Sequence, residues 1–383
     1  MVGIHSTKTR FIIFLNLVII SIYLFGCNKA GRRDLGEKIN LSRSETIKLN
    51  FLELKKDIEF ITLSIPDSVY LGSIRSINSS NDYLLLHDPE IANKIYLFDK
   101  MGNYISQSKK TGEGPKEYLS LYAYATVMNS IFIYDRELRR INKYKLPHFN
   151  FEYSIPCDNY IQNLIQVPNS KNIIGVSDDF VNEEMYNGIV YFNQKMEEIE
   201  VESKFPGIIE TTQFNNFSTI DDSLYYAEPL TETVYVYRNK KFIPKYHTDF
   251  GAMSIPFESV YTSEAENFYE IIAGGDYYYA IHNFNISNDL VSLNFFKKTI
   301  DEQLLGLYHL KDKKGVLIDL NEEVRDYVLN PMNVSDGYNY ILLFPDEYSL
   351  ATLKNLGMPD QRLNEIDLKN TIVVKFRYLD IPI

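Results

Sequence analysis

Short apolar runs separated by polar turns recur along the chain from residue 58 onward. Tyr83–His87 (YLLLH), Ile131–Tyr134 (IFIY), Ile173–Val176 (IIGV), Leu224–Ala227 (LYYA) and Tyr340–Phe344 (YILLF) have the length and residue types of strands. A hairpin pattern follows most of them. Ile95–Ile105 reads IYLFDKMGNYI, and Val190–Ile199, Val234–Ile243 and Leu307–Ile318 share its shape, with a weaker copy at Arg140–Lys145. A further run precedes several of them, as at Ala123–Met128, Ile161–Val167 and Phe214–Ile220. Helical periodicity is confined to short insertions. Leu350, Leu353 and Leu356 recur at helical spacing after Asp346-Glu347, and Gly357 with Pro359 ends that stretch.

Four short antiparallel strands per unit describe the blade of a β-propeller. The third strands fall at Phe98, Tyr144, Phe192, Tyr237, Leu310 and Phe376, and the first three steps are 46, 48 and 45 residues. The later steps of 73 and 66 residues require the insertions Pro256–Gly275 and Pro345–Asn370, with Leu290–Phe296 as the second strand of the fifth unit. The run Ile58–Leu63 belongs to no unit of its own. It is expected beside Thr371–Tyr378 as the outermost strand of the last unit, sealing edges that would otherwise template aggregation. The expected fold is therefore an all-β, six-bladed β-propeller over residues 58–383, with short helical insertions.

Composition agrees with this pattern: Tyr 30 and Phe 23 against Trp 0 favour pleated, half-buried surfaces. The net charge of −12, with no basic stripe, argues against nucleic acid as a partner. Cys27 and Cys157 are the two cysteines, so a disulfide scaffold is excluded, and Cys157 reads as a small buried hydrophobe.

The first residues read as an address. Lys8 and Arg10 precede the apolar run Phe11–Phe25, which holds 15 residues and includes Asn16, followed by Gly26-Cys27. That run is short of the ~20 residues needed to span a bilayer and matches the apolar core of a secretory signal. Residues 1–26 are thus expected to be a signal peptide. Residues 27–57 are expected to be an anchor and flexible tether, because Asn28–Lys48 is polar and aperiodic.

Three features resemble a known family. Leu24-Phe25-Gly26-Cys27 resembles a bacterial lipobox, with Phe25 where a small residue is usual. Gly112-Glu113-Gly114-Pro115-Lys116-Glu117-Tyr118 resembles a Gly-x-Gly-Pro-x-Glu-Tyr turn, with Lys116 where glycine is frequent. The strand ending Ile133-Tyr134-Asp135 and the hairpin ending at Gly102 also fit, whereas Asn370-Thr371 replaces a common Asn-Pro. Together they resemble the six-bladed β-propeller lipoproteins of Gram-negative gut bacteria. The resemblance implies diacylglycerol on Cys27, attachment to the outer membrane of the cell envelope, and no established activity. Each acyl chain contributes about 0.8 kcal/mol per buried methylene, so more than one chain anchors stably.

Read from its residues, the Gly112-to-Tyr118 stretch is a structural turn. Gly112 and Gly114 permit positive φ or close backbone approach, and Pro115 fixes φ. A phosphate cradle would need a following helix and a Lys-Ser/Thr pair, which are missing.

Candidate site residues follow the second strand of each unit: Asp88, Asp135, Asp178, Glu228 and Asp346, with Arg136, Arg139, Arg140, Tyr160 and Tyr226 nearby. Two explanations stand. Acidic residues favour such turns by accepting from local amides. Alternatively they ring a central channel with negative potential, suited to a cationic or polyhydroxylated ligand. His87 reads as structural, and the scattered histidines show no metal-ligand spacing, so no metal or cofactor is expected. The favoured function is a monomeric binding scaffold for a protein, peptide or glycan. The rival is a metal-assisted hydrolase or lyase using the channel carboxylates.

Overall fold

The computed structural model describes residues 36–80, 82–108, 112–181, 184–193, 198–206, 216–228, 231–256, 265–345 and 347–379. It is mostly β. First come β1 (Glu37–Asn40), β2 (Thr46–Leu49), the short helix α1 (Phe51–Leu54) and β3 (Lys55–Thr62). The first antiparallel unit is β4 (Ser76–Ser79), β5 (Tyr83–Asp88), β6 (Lys94–Asp99) and β7 (Tyr104–Gln107). The second is β8 (Leu121–Val127), β9 (Ser130–Asp135), β10 (Arg140–Lys145) and β11 (Asn150–Pro156). The third is β12 (Ile161–Gln166), β13 (Ile173–Val181), β14 (Glu184–Phe192) and β15 (Glu198–Pro206). The fourth is β16 (Phe217–Ile220), β17 (Ser223–Ala227), β18 (Thr233–Arg238) and β19 (Lys241–Asp249), followed by helix α2 (Ala265–Gly274). The fifth is β20 (Tyr278–Ser287), β21 (Leu290–Lys297), β22 (Thr299–His309) and β23 (Lys314–Leu320). Helix α3 (Glu322–Leu329) leads to β24 (Asn333–Ser335) and β25 (Tyr338–Leu343). Helices α4 (Leu350–Asn355) and α5 (Asp360–Leu363) then precede β26 (Ile372–Tyr378).

Within each unit, consecutive strands are neighbours. The sixth unit is completed from the other end of the chain: β3 lies antiparallel to β26, with Ile61 opposite Val373 and Phe60 opposite Val374. This is the pairing the sequence predicts. Apolar layers fill the seams between units. Leu85 and Leu97 of the first unit pack with Ile131, Ile133 and Tyr144 of the second, and Ile174 and Ile189 of the third pack with Phe217 and Leu224 of the fourth. Burial on both sheet faces explains why these strands read as continuous apolar runs instead of strict alternation.

Three expectations need correction. Residues 37–57 are not a free tether. β1 pairs parallel with the outer edge of the fourth unit at β19, and β2 does the same with the fifth at β23. Ile39, Leu41, Phe51 and Leu54 are buried along this path. The driving force is apolar burial plus capture of otherwise open sheet edges. Second, the 350–356 helix starts at Ser349 instead of Asp346-Glu347, because the Ser349 hydroxyl and Thr352 cap each other's amides. Third, Leu310 lies one residue past the end of β22, whereas the other five third-strand positions fall inside their strands. Helix α3 was not foreseen at all. Residues 1–35, with Cys27, lie outside the described residues. Among the described residues no helix is long and apolar enough to cross a membrane.

Candidate functional site

The acidic positions after the second strands serve the scaffold where they are described. Asp88 is fully buried: one carboxylate oxygen accepts the Gly72 amide at 2.8 Å, the other the Ile91 and Ala92 amides at 3.0 Å each. Asp135, equally buried, accepts the amides of Leu119 (3.0 Å), Ser120 (3.1 Å) and Leu138 (3.2 Å), with Arg140 Nε at 3.9 Å. Each carboxylate thus clasps the segment entering its unit to the turn leaving its second strand. Glu228, also buried, accepts the Tyr235 hydroxyl at 3.0 Å. Asp178 lies in β13 opposite Asn187, its side chain outside those described, and Asp346 lies outside the described residues. His87 is buried, its Nε2 3.1 Å from the Leu121 carbonyl, and burial pushes its pKa down to about 4. It joins the first unit to the second.

The glycine-rich turn is a latch between those same units. Glu117 Oε2 accepts the Gly114 amide at 3.1 Å, and a methyl group on Gly112 would stand 2.2 Å from that oxygen. Close approach, not positive φ, is therefore what demands glycine here. Arg140 grips the turn by donating to the carbonyls of Gly114 (2.9 Å) and Glu117 (2.8 Å), and Asn142 Nδ2 also donates to the Glu117 carbonyl at 2.9 Å. Pro115 lies between these anchored residues.

With Asp88 and Asp135 inside, three arginines stand at this end beside the exposed carboxylates Glu90, Glu137 and Asp158. Arg75 lies 5.4 Å from the Tyr122 ring centroid, and Arg136 lies 4.6 Å from the same ring and 5.9 Å from Tyr160. Arg139 lies 4.4 Å from the Tyr160 ring centroid. The result is an alternating row of guanidinium groups and phenol rings across the first, second and third units. Local sequence explains the placing: Arg75 precedes β4, Tyr122 sits near the start of β8, Tyr160 precedes β12, and Arg136 follows β9. Arg75 is paired with Glu90 at 3.0 Å, and that hydrogen bond holds the Glu90 carboxyl below its ordinary range. Arg139 donates to the Asp158 carbonyl. Arg136 has no carboxylate within ion-pair distance among the described residues. Stacking between rings fixes a guanidinium plane and leaves its N–H edge free for a planar anion. Arg136, Arg139 and Tyr160 were legible beside the predicted site. Arg75 and Tyr122 were not, since no local pattern announces that strand starts of adjacent units meet.

At the opposite end, where the first strands run into their hairpin turns, lies a cavity of about 540 Å³. β4, β8, β12, β16 and β24 border it; β20 does not. β16 instead pairs directly with β24, Thr219 opposite Ser335, and the Asp336 amide donates to the Thr219 carbonyl at 2.7 Å. Asp82, Asp222 and Asp336 stand at the rim. Burial, and then the neighbouring Asp222 and Asp221, raises the Asp336 carboxyl above its usual range.

A buried polar group in the fifth unit was also missed. The Leu329 carbonyl at the end of α3 accepts from Gln303 at 3.0 Å and Asn283 at 3.4 Å, and from Asn294 as well. His282 lies 2.7 Å from Gln303 Nε2, and burial pushes its pKa to about 4. These contacts satisfy a helix C-terminus inside the core. Among the described residues, no group of three or more His, Cys, Asp or Glu side chains is placed to hold a metal ion.

Comparison with solved structures gives a fold likeness. A protein of Bacteroides fragilis described as exported superposes with a TM-score of 0.66 at 17% identity, covering 90% of this chain and 100% of that one. A member of the DUF4221 family from Bacteroides vulgatus gives 0.48 at 10% identity, covering 86% and 99%. No curated protein matches the chain. The model of a domain of unknown function, DUF4934, matches residues 37–374, and the chain belongs to that family.

Proposed function

We propose that the protein is an exported, six-bladed β-propeller tethered to the outer membrane by lipid on Cys27, and that it acts as a binding scaffold. Its loop face captures a glycan bearing carboxylate or sulfate groups. The six four-strand units, their seams of apolar packing and the β3–β26 pairing all support the blade reading. Export is supported by the basic start and apolar run before Cys27, and by the fold neighbour described as exported.

The observation that carries the binding proposal is the Arg136 guanidinium near both the Tyr122 and Tyr160 rings, with no carboxylate partner among the described residues. The tyrosine rings hold the guanidinium groups and offer their hydroxyls to sugar hydroxyls, and the guanidinium edge supplies bidentate recognition of an anion. The overall charge of −12 repels acidic ligands at long range, so capture depends on this local positive row. Asp88, Asp135 and Glu228 act in this reading by holding the loops in place.

The test is an array of acidic and neutral glycans, with an acidic peptide as comparator, followed by calorimetry on the wild type and on Arg136→Ala and Tyr160→Ala. Loss of one charge-assisted contact predicts about tenfold weaker binding of the acidic glycan in Arg136→Ala. Equal binding by wild type and Arg136→Ala, or preference for the peptide, overturns the proposal.

A further inference from the structure

The cavity at the hairpin end differs in chemistry from the arginine–tyrosine row, and we infer that it is a second binding site, for a neutral polyhydroxylated molecule of mono- or disaccharide size. Its volume of about 540 Å³ lies within the ~300–1,000 Å³ usual for small-molecule sites. Consecutive residues of β12, from Asn163 to Gln166, all border it. That happens when the edge of a strand, instead of one face, meets the space. β4, β8 and β12 are each terminal in their sheets, and apart from the Ile77 amide, which donates to the Met332 carbonyl at 3.4 Å, their edges add backbone donors and acceptors to the wall.

The side chains complete a neutral, two-way hydrogen-bonding surface. Asn78, Thr126, Asn163, Thr219 and Asn333, one from each bordering strand, are partly exposed to the cavity. Their side chains make no hydrogen bond to any other described residue, so their donors and acceptors are uncommitted. An amide offers two donors and an acceptor, and a hydroxyl offers both roles. Only a ligand that also donates and accepts around its whole perimeter satisfies such a ring. Sugar hydroxyls do this. An anion is disfavoured, because the described lining contains Asp82, Asp222 and Asp336 at the rim and no lysine or arginine. Those same carboxylates accept from vicinal hydroxyls. An apolar ligand would strand the amides without partners, at about 1–3 kcal/mol each.

The experiment titrates the mature protein with glucose, galactose, N-acetylglucosamine and maltose, using saturation-transfer NMR and calorimetry. Wild type is compared with Asn78→Ala, Asn333→Ala and Thr126→Val. At least one saccharide is expected to saturate the wild type, and each cavity substitution is expected to weaken it about tenfold. Arg136→Ala is expected to leave this binding unchanged, so failure of the loop-face proposal and failure of this one are separable. Thr126→Val preserves shape and decides the matter if an asparagine variant folds poorly. No saturation by any of the four sugars at millimolar concentration, or equal affinity across wild type and cavity variants, overturns the inference.

Discussion

Asp88→Asn separates a structural clasp from a ligand group. The side chain keeps its volume, and one oxygen can still face the Ile91 and Ala92 amides at 3.0 Å. The new amide nitrogen then stands where Asp88 accepted the Gly72 amide at 2.8 Å, so two donors confront each other in a fully buried place. Loss of a charge-assisted bond costs about 1.5–3 kcal/mol, and the orphaned amide adds about 1–3 more; we take about 3 kcal/mol as the net effect. For a domain of this size each kcal/mol lowers Tm by roughly 2 °C, which gives a drop of about 6 °C by scanning calorimetry. Asp88→Ala removes the acceptor of three part-buried amides at once and is expected to cost about 4 kcal/mol. Exposed Glu137→Gln, on the neighbouring unit, serves as the control and is expected to change nothing. A melting temperature for Asp88→Asn within about 1 °C of wild type refutes the clasp. Such a result, combined with lost glycan binding, restores Asp88 to the ligand site.

Other consequences are as direct. Phe51 is fully buried with its ring 4.9 Å from Phe376, so Phe51→Ala is expected to cost about 3–5 kcal/mol in urea unfolding, whereas Leu52→Ala, 42% exposed, costs little. A mere tether would tolerate both. Gly112→Ala breaks the Glu117 contact to the Gly114 amide, about 1 kcal/mol, and most of that cost is expected to vanish in a Glu117→Ala background. His87 has a folded pKa of about 4, below its unfolded 6.5, so the unfolded chain takes up the proton first as the pH falls. Stability present above about 6.5 is then lost down to about 4, by about 3 kcal/mol, and His87→Gln is expected to remove that loss from the pH profile of unfolding. Glu232, raised to about 7 by burial, acts with the opposite sign: its contribution falls as pH rises from the ordinary carboxylate range toward 7. Glu232→Gln is expected to flatten that limb of the same profile.

The repeated hairpins were legible because their signals are local. A run such as Ile131–Tyr134 and its turn declare themselves within a few residues. β1 and β2 were not, since four-residue strands offer too few positions to show a period. Their partners are remote: Glu37 lies opposite Tyr246, and Thr46 opposite Leu317. Helix α3 did carry a signal, with Glu322-Glu323 opening it and Val324, Val328 and Leu329 on the buried side. For the site, the sequence named Arg136 and its neighbours, but it set ligand contact on carboxylates of which Asp88, Asp135 and Glu228 turn out to be buried. Composition reveals a carboxylate; only packing decides whether solvent reaches it. The cavity asparagines were invisible for the same reason, because nothing local marks which strand edge faces an open space.

The pairing of β3 with β26 bears on how the chain reaches its native state. The ion pair between Lys375 and Glu59 joins positions 316 residues apart. Compared with closing a hairpin-scale loop of some 30 residues, drawing such ends together costs roughly 2 kcal/mol more in chain entropy. The larger effect is on timing. Residues 55–62 leave the ribosome more than 300 residues ahead of their partner, so the sheet they complete cannot assemble until synthesis is nearly finished. Until then the strand carrying Phe60 and Ile61 has no mate, and its open edge is the part of the unfinished chain most exposed to wrong pairing.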